Sequence, residues 1–145
     1  DIVVSKFGAI QASGLTPVLC VGESLSQREV GVTEETVLSQ IDAIVEKFGI
    51  SAFEKALIAY EPVWAIGTGK TATPEQAQAV HELIRVHLAK ENAKTADSVR
   101  IIYGGSVNSN NAQDLFKQED VDGGLVGGAS LKAEEFISIC KSVDR

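Results

Sequence analysis

Residues 57–70 of the chain read Leu57-Ile58-Ala59-Tyr60-Glu61-Pro62-Val63-Trp64-Ala65-Ile66-Gly67-Thr68-Gly69-Lys70. The short apolar run before Glu61 is typical of a parallel strand that is buried on both faces. A proline and a glycine-containing loop follow, and Thr73-Pro74 then predicts the start of a helix. Because parallel α/β sheets bind ligands beyond the carboxyl ends of their strands, Glu61 is a candidate general base. The loop after it is a candidate lid.

This stretch of sequence is open to other interpretations. A glutamate at a strand end is most often a solvated boundary residue, and a glycine-rich loop is most often only a turn. Gly69-Lys70-Thr71 would end a phosphate-binding P-loop only with glycine at position 64, where Trp64 stands. The dinucleotide fingerprint needs a helix directly after the glycines and an acidic strand end about 20 residues later. Both nucleotide-binding motifs therefore fail on spacing.

Apolar runs and helical patterns alternate along the whole chain. The four strands that this pattern predicts lie at 17–21, 57–60, 99–103 and 124–126. Helices are predicted at 2–13, between the expected cap Thr33 and Gly49, from Thr73 onward, at about 109–118 and at about 131–142. Regular alternation of this kind predicts an α/β fold with a parallel sheet.

Capping residues mark several of these boundaries. We expect Thr33 to cap the second helix and Gly49 to end it. Thr73 and Gln76 have the spacing of a capping box at the start of the long helix. The segment 24–31 is polar and is predicted to be a connection.

Neither the histidines nor the cysteines have metal-ligand spacing. His81 and His87 lie six positions apart on one helix, whereas metal-binding pairs on a helix are four apart, so both are interpreted as structural or solvent-facing. Cys20 and Cys140 are expected to be reduced, buried thiols of a cytosolic protein. The sequence therefore predicts no metal site.

Composition excludes some classes of function. The 145 residues carry a formal net charge of −7, which argues against non-specific binding of nucleic acid or of anionic membranes. No apolar run is long enough to predict a membrane span. The chain has no methionine, so we expect it to be an internal piece of a longer polypeptide.

Four segments resemble, in family order, the motifs of triosephosphate isomerases. They are LTPVLCVGE at 15–23, YEPVWAIGTG at 60–69, YGGSV at 103–107 and GGLVGGAS at 123–130. The resemblance covers this chain from end to end, but only the second half of the family's chain. It implies that residues 1–145 are the C-terminal half of a single (β/α)8 TIM barrel domain, with four parallel strands and no internal domain boundary.

The resemblance also implies an activity. The family interconverts dihydroxyacetone phosphate and D-glyceraldehyde 3-phosphate through an enediol(ate), in glycolysis and gluconeogenesis, without a metal or cofactor. Glu61 matches the base that shuttles the proton. The expected partners are a small phosphorylated triose, the missing N-terminal half of the barrel and a second copy in a cytoplasmic homodimer, with no nucleic acid and no membrane.

The remaining site residues are implied in the same way. Phosphate is expected at Gly67, Ser106, Gly127 and Gly128, because glycines let backbone N–H groups approach an anion and a helix start near Gly128 adds partial positive charge. The expected lid has a first hinge, a central part and a second hinge. In that order, these are Pro62, Val63 and Trp64, then Ala65, Ile66, Gly67, Thr68 and Gly69, then Lys70, Thr71 and Ala72.

Other side chains are expected to support the base. Ile66 and Leu125 match an apolar clamp over Glu61, and Cys20 matches a packing support. Glu23 and Arg28 resemble an ion pair beneath the lid.

The chain departs from the family in what it lacks. The catalytic lysine, the histidine that polarises the carbonyl and a nearby asparagine all belong to the family's first half, and none is in this sequence. The alternative is therefore an isolated half-barrel that binds phosphate at most. Its open apolar face would pair with a second copy or another chain. A third possibility, another phosphate-binding enzyme on the same fold, is disfavoured by the motifs.

Overall fold

The computed structural model of the chain describes residues 2–66 and 70–143. Helices and strands alternate along most of this length, which is the order of an α/β fold. The elements are α1 (Ile2–Ala12), β1 (Val18–Val21), α2 (Leu25–Glu29), α3 (Thr33–Phe48), β2 (Leu57–Tyr60), α4 (Pro74–Glu91), α5 (Ala93–Ser98), β3 (Arg100–Tyr103), α6 (Ala112–Phe116) and α7 (Ala133–Lys141). Short 3-10 helices lie at Ile50–Lys55, Val63–Ala65 and Gly128–Leu131.

The strands form one parallel sheet in the order β1-β2-β3 over the described part of the chain. Their register is level, since Val21 pairs with Tyr60 and Tyr60 pairs with Tyr103 at the carboxyl ends. The α/β class with a parallel sheet is therefore confirmed. The level register also brings the loops after all three strands to one edge of the sheet.

The expected fourth strand at 124–126 is not confirmed. The segment runs beside β3, where Tyr103 N–H donates to the Gly123 carbonyl at 2.9 Å and Leu125 N–H donates to the Tyr103 carbonyl at 2.8 Å. Among the described residues it forms one isolated parallel bridge, between Tyr103 and Gly124, and no strand. Two successive glycines, which weaken a strand because they offer no side chain to pack, account for the short pairing.

Of the three predicted capping assignments, two are confirmed and one is wrong. Gln76 N–H donates to Thr73 Oγ1 at 3.2 Å and Thr73 N–H donates to Gln76 Oε1 at 3.0 Å, so the capping box of α4 is confirmed. Gly49 ends α3, as expected. The cap assigned to Thr33 is wrong: Thr36 N–H bonds to the carbonyl of Val32, so Val32 is the capping residue and Thr33 is already helical.

The segment 24–31 contains a helix that was not predicted. Ser24 and Gln27 form a capping box that starts α2. The signal was present, because the two residues have the same spacing as Thr73 and Gln76. The helix α5 was also missed, although Asn92 caps it by accepting a bond from Thr95 N–H at 3.1 Å.

The sheet has one covered and one open face. Exposed and buried residues alternate along β1, where Leu19 and Val21 are buried against the helices, and Val18 is 42% exposed. Cys20 lies on the open side and Cys140 lies on an exposed part of α7, so the expectation that both thiols are buried was wrong. Strand periodicity determines this outcome for Cys20, because alternate residues point to opposite faces.

Candidate active site

One cavity at the carboxyl ends of the strands collects residues from separate parts of the chain. Its volume is about 610 Å³. The residues that line it are Glu61, Ile66, Gly104, Gly105, Ser106, Val107, Leu125, Val126, Gly127, Gly128 and Ala129. The expected base, both clamp residues and both glycine loops thus face the same space. A larger cavity of about 910 Å³ lies at the opposite ends of the strands and contains none of these residues.

Glu61 is held at the end of β2 by its neighbours on both sides. Its N–H donates to the Val21 carbonyl at 2.7 Å. On the other side, a Cβ placed on Gly104 would lie 2.5 Å from Glu61 Cγ. Gly104 therefore leaves the space that the glutamate side chain occupies.

Cys20 contacts the carboxylate of Glu61 from β1. Its thiol is partly desolvated there, although the residue borders the open face. This desolvation, together with a hydrogen bond to Glu61 and the negative charge of that carboxylate, raises the pKa of the Cys20 thiol to about 11. The thiol therefore keeps its proton at neutral pH and is unsuited to act as a nucleophile.

The expected first hinge is attached to a buried carboxylate. Glu23 is fully buried and accepts hydrogen bonds from the Tyr60 hydroxyl at 3.2 Å and from Trp64 Nε1 at 3.0 Å. Arg28 Nη1 lies 3.1 Å from Glu23 Oε1, so the ion pair of these two residues is confirmed. The Arg28 guanidinium also lies over the Trp64 ring, 5.0 Å from its centroid.

Tyr60 is a permanent donor to this carboxylate. Burial, and then the negative charge of Glu23, raise the pKa of the Tyr60 hydroxyl well above its ordinary value. A phenol in this state keeps its proton, so the hydrogen bond to Glu23 persists over the physiological pH range. Removal of any one donor would leave a buried carboxylate less satisfied.

The expected second hinge is attached to β3. Ala72 N–H donates to the Tyr103 hydroxyl at 3.1 Å, and Thr71 Oγ1 lies 3.2 Å from the Ser106 carbonyl. A Cβ on Gly105 would lie only 2.1 Å from the Tyr103 hydroxyl oxygen. Gly105 is thus required because the tyrosine side chain that binds the hinge passes over it.

Ser106 contacts the lid region in this structure. Its hydroxyl donates to the carbonyl of Ala65 at 2.9 Å, and Ala65 is buried. Ile66, the next residue, is 46% exposed and lines the cavity together with Leu125, which is 38% exposed. The segment that ends at Ile66, just before the undescribed positions, therefore bridges the loops that follow β2 and β3. Three lid positions, Gly67, Thr68 and Gly69, lie outside the described residues.

Gly127 and Gly128 face open space. Apart from the chain neighbours, no described residue places an atom within 4 Å of a Cβ built on either glycine, in contrast to Gly104 and Gly105. The element that begins at Gly128 is a short 3-10 helix, and α7 starts only at Ala133. The expected helix start near Gly128 is therefore a single turn, and its partial positive charge is correspondingly small.

The two histidines lie away from the cavity. His81 is buried, its Nδ1 lies 3.1 Å from the Asp120 carbonyl oxygen, and burial lowers the pKa of its imidazole to about 4. His87 Nε2 lies 2.6 Å from Asp42 Oδ1 and connects α4 with α3. Within residues 2–66 and 70–143, no group of His, Cys, Asp or Glu side chains is arranged to hold a metal ion.

Sequence reasoning missed three contributors to this region. Tyr103 binds the second hinge, and Gly22 lies against the backbone of Glu61. Gln40 binds Gly22 and lies on α3, a helix in which the sequence showed no functional motif. Within residues 2–66 and 70–143, no helix is long and apolar enough to span a membrane.

The architecture defines a parallel α/β protein whose candidate site is built from a carboxylate and glycine-containing loops at the carboxyl ends of its strands. Residues 1–143 match the sequence model of the triosephosphate isomerase family, and the chain belongs to this family.

Curated relatives agree with this assignment. A triosephosphate isomerase of Pseudomonas savastanoi pv. phaseolicola is 60% identical over 142 residues, which are 98% of this chain and 57% of the relative. One from Pseudoalteromonas translucida is 58% identical over the same shares of both chains. One from Salmonella newport is 58% identical over 144 residues, or 99% of this chain and 56% of the relative. The chain thus spans little more than half the length of these relatives.

Proposed function

We propose that the polypeptide carrying these residues is a triosephosphate isomerase that interconverts dihydroxyacetone phosphate and D-glyceraldehyde 3-phosphate. The observation that carries the proposal is the shared cavity, in which the Glu61 carboxylate faces Ser106, Gly127 and Gly128 across about 610 Å³. A carboxylate that borders a loop able to bind an anion can act on a carbon atom of the ligand that this loop holds.

Glu61 is the proposed base. Its carboxylate takes a proton from carbon 1 of the ketone, and the electron pair of the broken C–H bond forms the carbon–carbon double bond of an enediolate. The proton returns to carbon 2, while a hydroxyl proton moves between the two oxygens. The protonated Cys20 thiol and the space left by Gly104 keep the carboxylate in place. No oxidant and no cofactor enters this scheme.

Phosphate is proposed to bind through neutral groups. Gly127 and Gly128 line the cavity, and their backbone N–H groups are the proposed donors; Ser106 and the undescribed Gly67 belong to the same proposed set. An acidic chain can hold a dianion in this way, because the donors are dipoles and their effect is local. Ile66 and Leu125, which line the cavity, are the proposed clamp that limits access of water to Glu61.

The rest of the machinery is proposed to come from a preceding half of the same barrel. That half would complete the (β/α)8 domain and supply the lysine, the histidine and the asparagine that stabilise the enediolate oxygen. The open face of β1, with Val18 and Cys20 exposed, supports this arrangement because an apolar sheet face is normally covered. A cytoplasmic homodimer that works in glycolysis and gluconeogenesis belongs to the same proposal.

The test compares the complete polypeptide with residues 1–145 alone. We expect isomerase activity from the complete polypeptide, whose intact mass would be about 27 kDa for a barrel of roughly 250 residues. The 145-residue piece, of 15.4 kDa, is expected to show no turnover alone and to regain activity when the other half is added. An inactive complete polypeptide contradicts the proposed function.

Gly128→Ala and Ser106→Ala are expected to raise the KM for the phosphorylated substrate about tenfold or more, because each removes or obstructs a hydrogen bond to a charged group. The turnover number should change much less. Ser98→Ala, which loses only a bond to the Thr95 carbonyl at 3.1 Å, is the matched control. Steady-state kinetics decide the matter, and an unchanged KM in both variants would mean that the phosphate loops are misassigned.

A further inference from the structure

Gln40 holds both main-chain groups of Gly22 with one side chain. Gly22 N–H donates to Gln40 Oε1 at 2.8 Å, and Gln40 Nε2 donates to the Gly22 carbonyl at 3.1 Å. Gln40 lies on α3, eighteen positions further along the chain. Its amide therefore pairs with the end of β1 in the way that a peptide group of a neighbouring strand would.

Gly22 in turn packs against the backbone of Glu61, the proposed base. A Cβ built on Gly22 would lie 1.9 Å from the Glu61 carbonyl oxygen and 3.3 Å from Pro62 N. The two flanking hydrogen bonds run from Glu61 N–H to the Val21 carbonyl and from Val63 N–H to the Glu23 carbonyl. Pro62 has no N–H to donate. Contact with Gly22 therefore constrains the peptide that joins Glu61 to the first hinge, between these two hydrogen bonds.

Space is available for this peptide to move if the constraint is lost. Another cavity, of about 500 Å³, lies beside the end of β1. Gln40, Gly22, Glu61, Val63 and Ile66 are among the residues that line it. Without the hydrogen bonds from Gln40, the end of β1 at Gly22 can shift into this cavity. The Glu61 carboxylate would then shift too, because the backbone of Glu61 packs against Gly22.

We propose that Gln40 is a positioning residue that sets the place of the Glu61 carboxylate through Gly22. The proposal rests on the proposed function, in which Glu61 moves the proton. Within the described residues, the side-chain hydrogen bonds of Gln40 go to the backbone of Gly22, so Gln40 contributes to turnover and leaves phosphate binding to the other loops. The same contact fixes the start of the lid, because Pro62 follows Glu61 directly.

The test uses Gln40→Leu in the complete polypeptide. We expect kcat to fall by about 10- to 100-fold with KM within about twofold, because a displacement near 1 Å of a catalytic group costs about 100-fold in rate. Gln11→Leu is the matched control. Gln11 is also partly buried and donates to a main-chain carbonyl, that of Ala52 at 2.8 Å, but it lies at the opposite cavity.

Gln40→Glu separates positioning from a loss of stability. Near neutral pH a glutamate at this position can accept from Gly22 N–H but cannot donate to the Gly22 carbonyl. Once protonated, it can do both. We therefore expect the ratio of its kcat to that of the wild-type protein, at equal pH, to rise as the pH is lowered to about 5, close to the ordinary pKa of glutamate.

The outcomes that overturn the proposal are distinct. A kcat of Gln40→Leu within about twofold of the wild type overturns it, as does an equal loss in Gln11→Leu. Inactive wild-type protein would overturn the proposed function. If the wild-type protein is inactive, the effect of Gln40 on the position of Glu61 is tested by hydrogen exchange at the Glu61 amide. This exchange should become faster in Gln40→Leu but not in Gln11→Leu. Unchanged exchange at this amide overturns the proposal in that case.

Discussion

Glu61→Asp is expected to lower kcat of the complete polypeptide by about 100-fold or more, with KM within about twofold. The shorter side chain withdraws the carboxylate from the substrate carbon by about one bond length, while the phosphate loops are untouched. Gly104 leaves an empty space beside the shortened side chain, so the backbone has no steric reason to compensate. Steady-state kinetics with both substrates would measure the effect.

The controls for this substitution are a second change at the site and a change elsewhere. Glu61→Gln keeps the length of the side chain but cannot accept a proton, and it should be at least as inactive as Glu61→Asp. Glu82→Asp makes the same chemical change at an exposed position of α4 and should leave kcat unchanged. Wild-type turnover in Glu61→Asp would refute the assignment of the base.

Gly22→Ala is expected to destabilise the fold by about 3 kcal/mol and to lower kcat as well, because the added methyl group overlaps backbone atoms. The Cβ would lie 1.9 Å from the Glu61 carbonyl oxygen and 2.6 Å from its carbon. Gly22 cannot easily retreat, because Gln40 holds its N–H and its carbonyl. Denaturant unfolding and kinetics of the same preparation would measure both effects.

Gly127→Ala provides the contrast for the stability measurement. Apart from the chain neighbours, the described part of the chain places no atom within 4 Å of a Cβ at this position, so the free energy of unfolding of Gly127→Ala should stay within about 0.5 kcal/mol of the wild type. If Gly22→Ala and Gly127→Ala both kept the stability of the wild type, the close approach between the ends of β1 and β2 would be wrong. Equal loss in both variants would instead indicate a general intolerance to change at glycine.

Much of the framework could be predicted because it depends on local chemistry. The apolar run at 57–60 and the capping pair of Thr73 and Gln76 specify their elements with neighbours a few residues away. The strand at 124–126 failed because its pairing depends on what lies beside Gly124 in space, and an apolar run does not encode this. The solvent exposure of Cys20 depends likewise on whether anything covers its face of the sheet.

In the candidate site, too, features set by local sequence could be predicted and features set by contacts in space could not. The position of Glu61 at the end of a strand could be read from the sequence, and the resemblance supplied the glycine loops. The reasons for the glycines could not be read, since Gly104 and Gly105 make room for the side chains of Glu61 and Tyr103. Gln40 was missed because its role depends on a contact across eighteen positions, and a glutamine on a helix has no distinctive pattern.

The level register of the sheet has an evolutionary consequence. Extending the pairs of Val21, Tyr60 and Tyr103 by one residue brings Gly22, Glu61 and Gly104 into one row across the three strands. Glu61 carries the single side chain of that row, and both flanking positions lack room for even a methyl group. Mutation therefore cannot add a second reactive group at this level without displacing the first. New chemistry on this scaffold would have to arise from the loops above the row, while the row itself stays fixed.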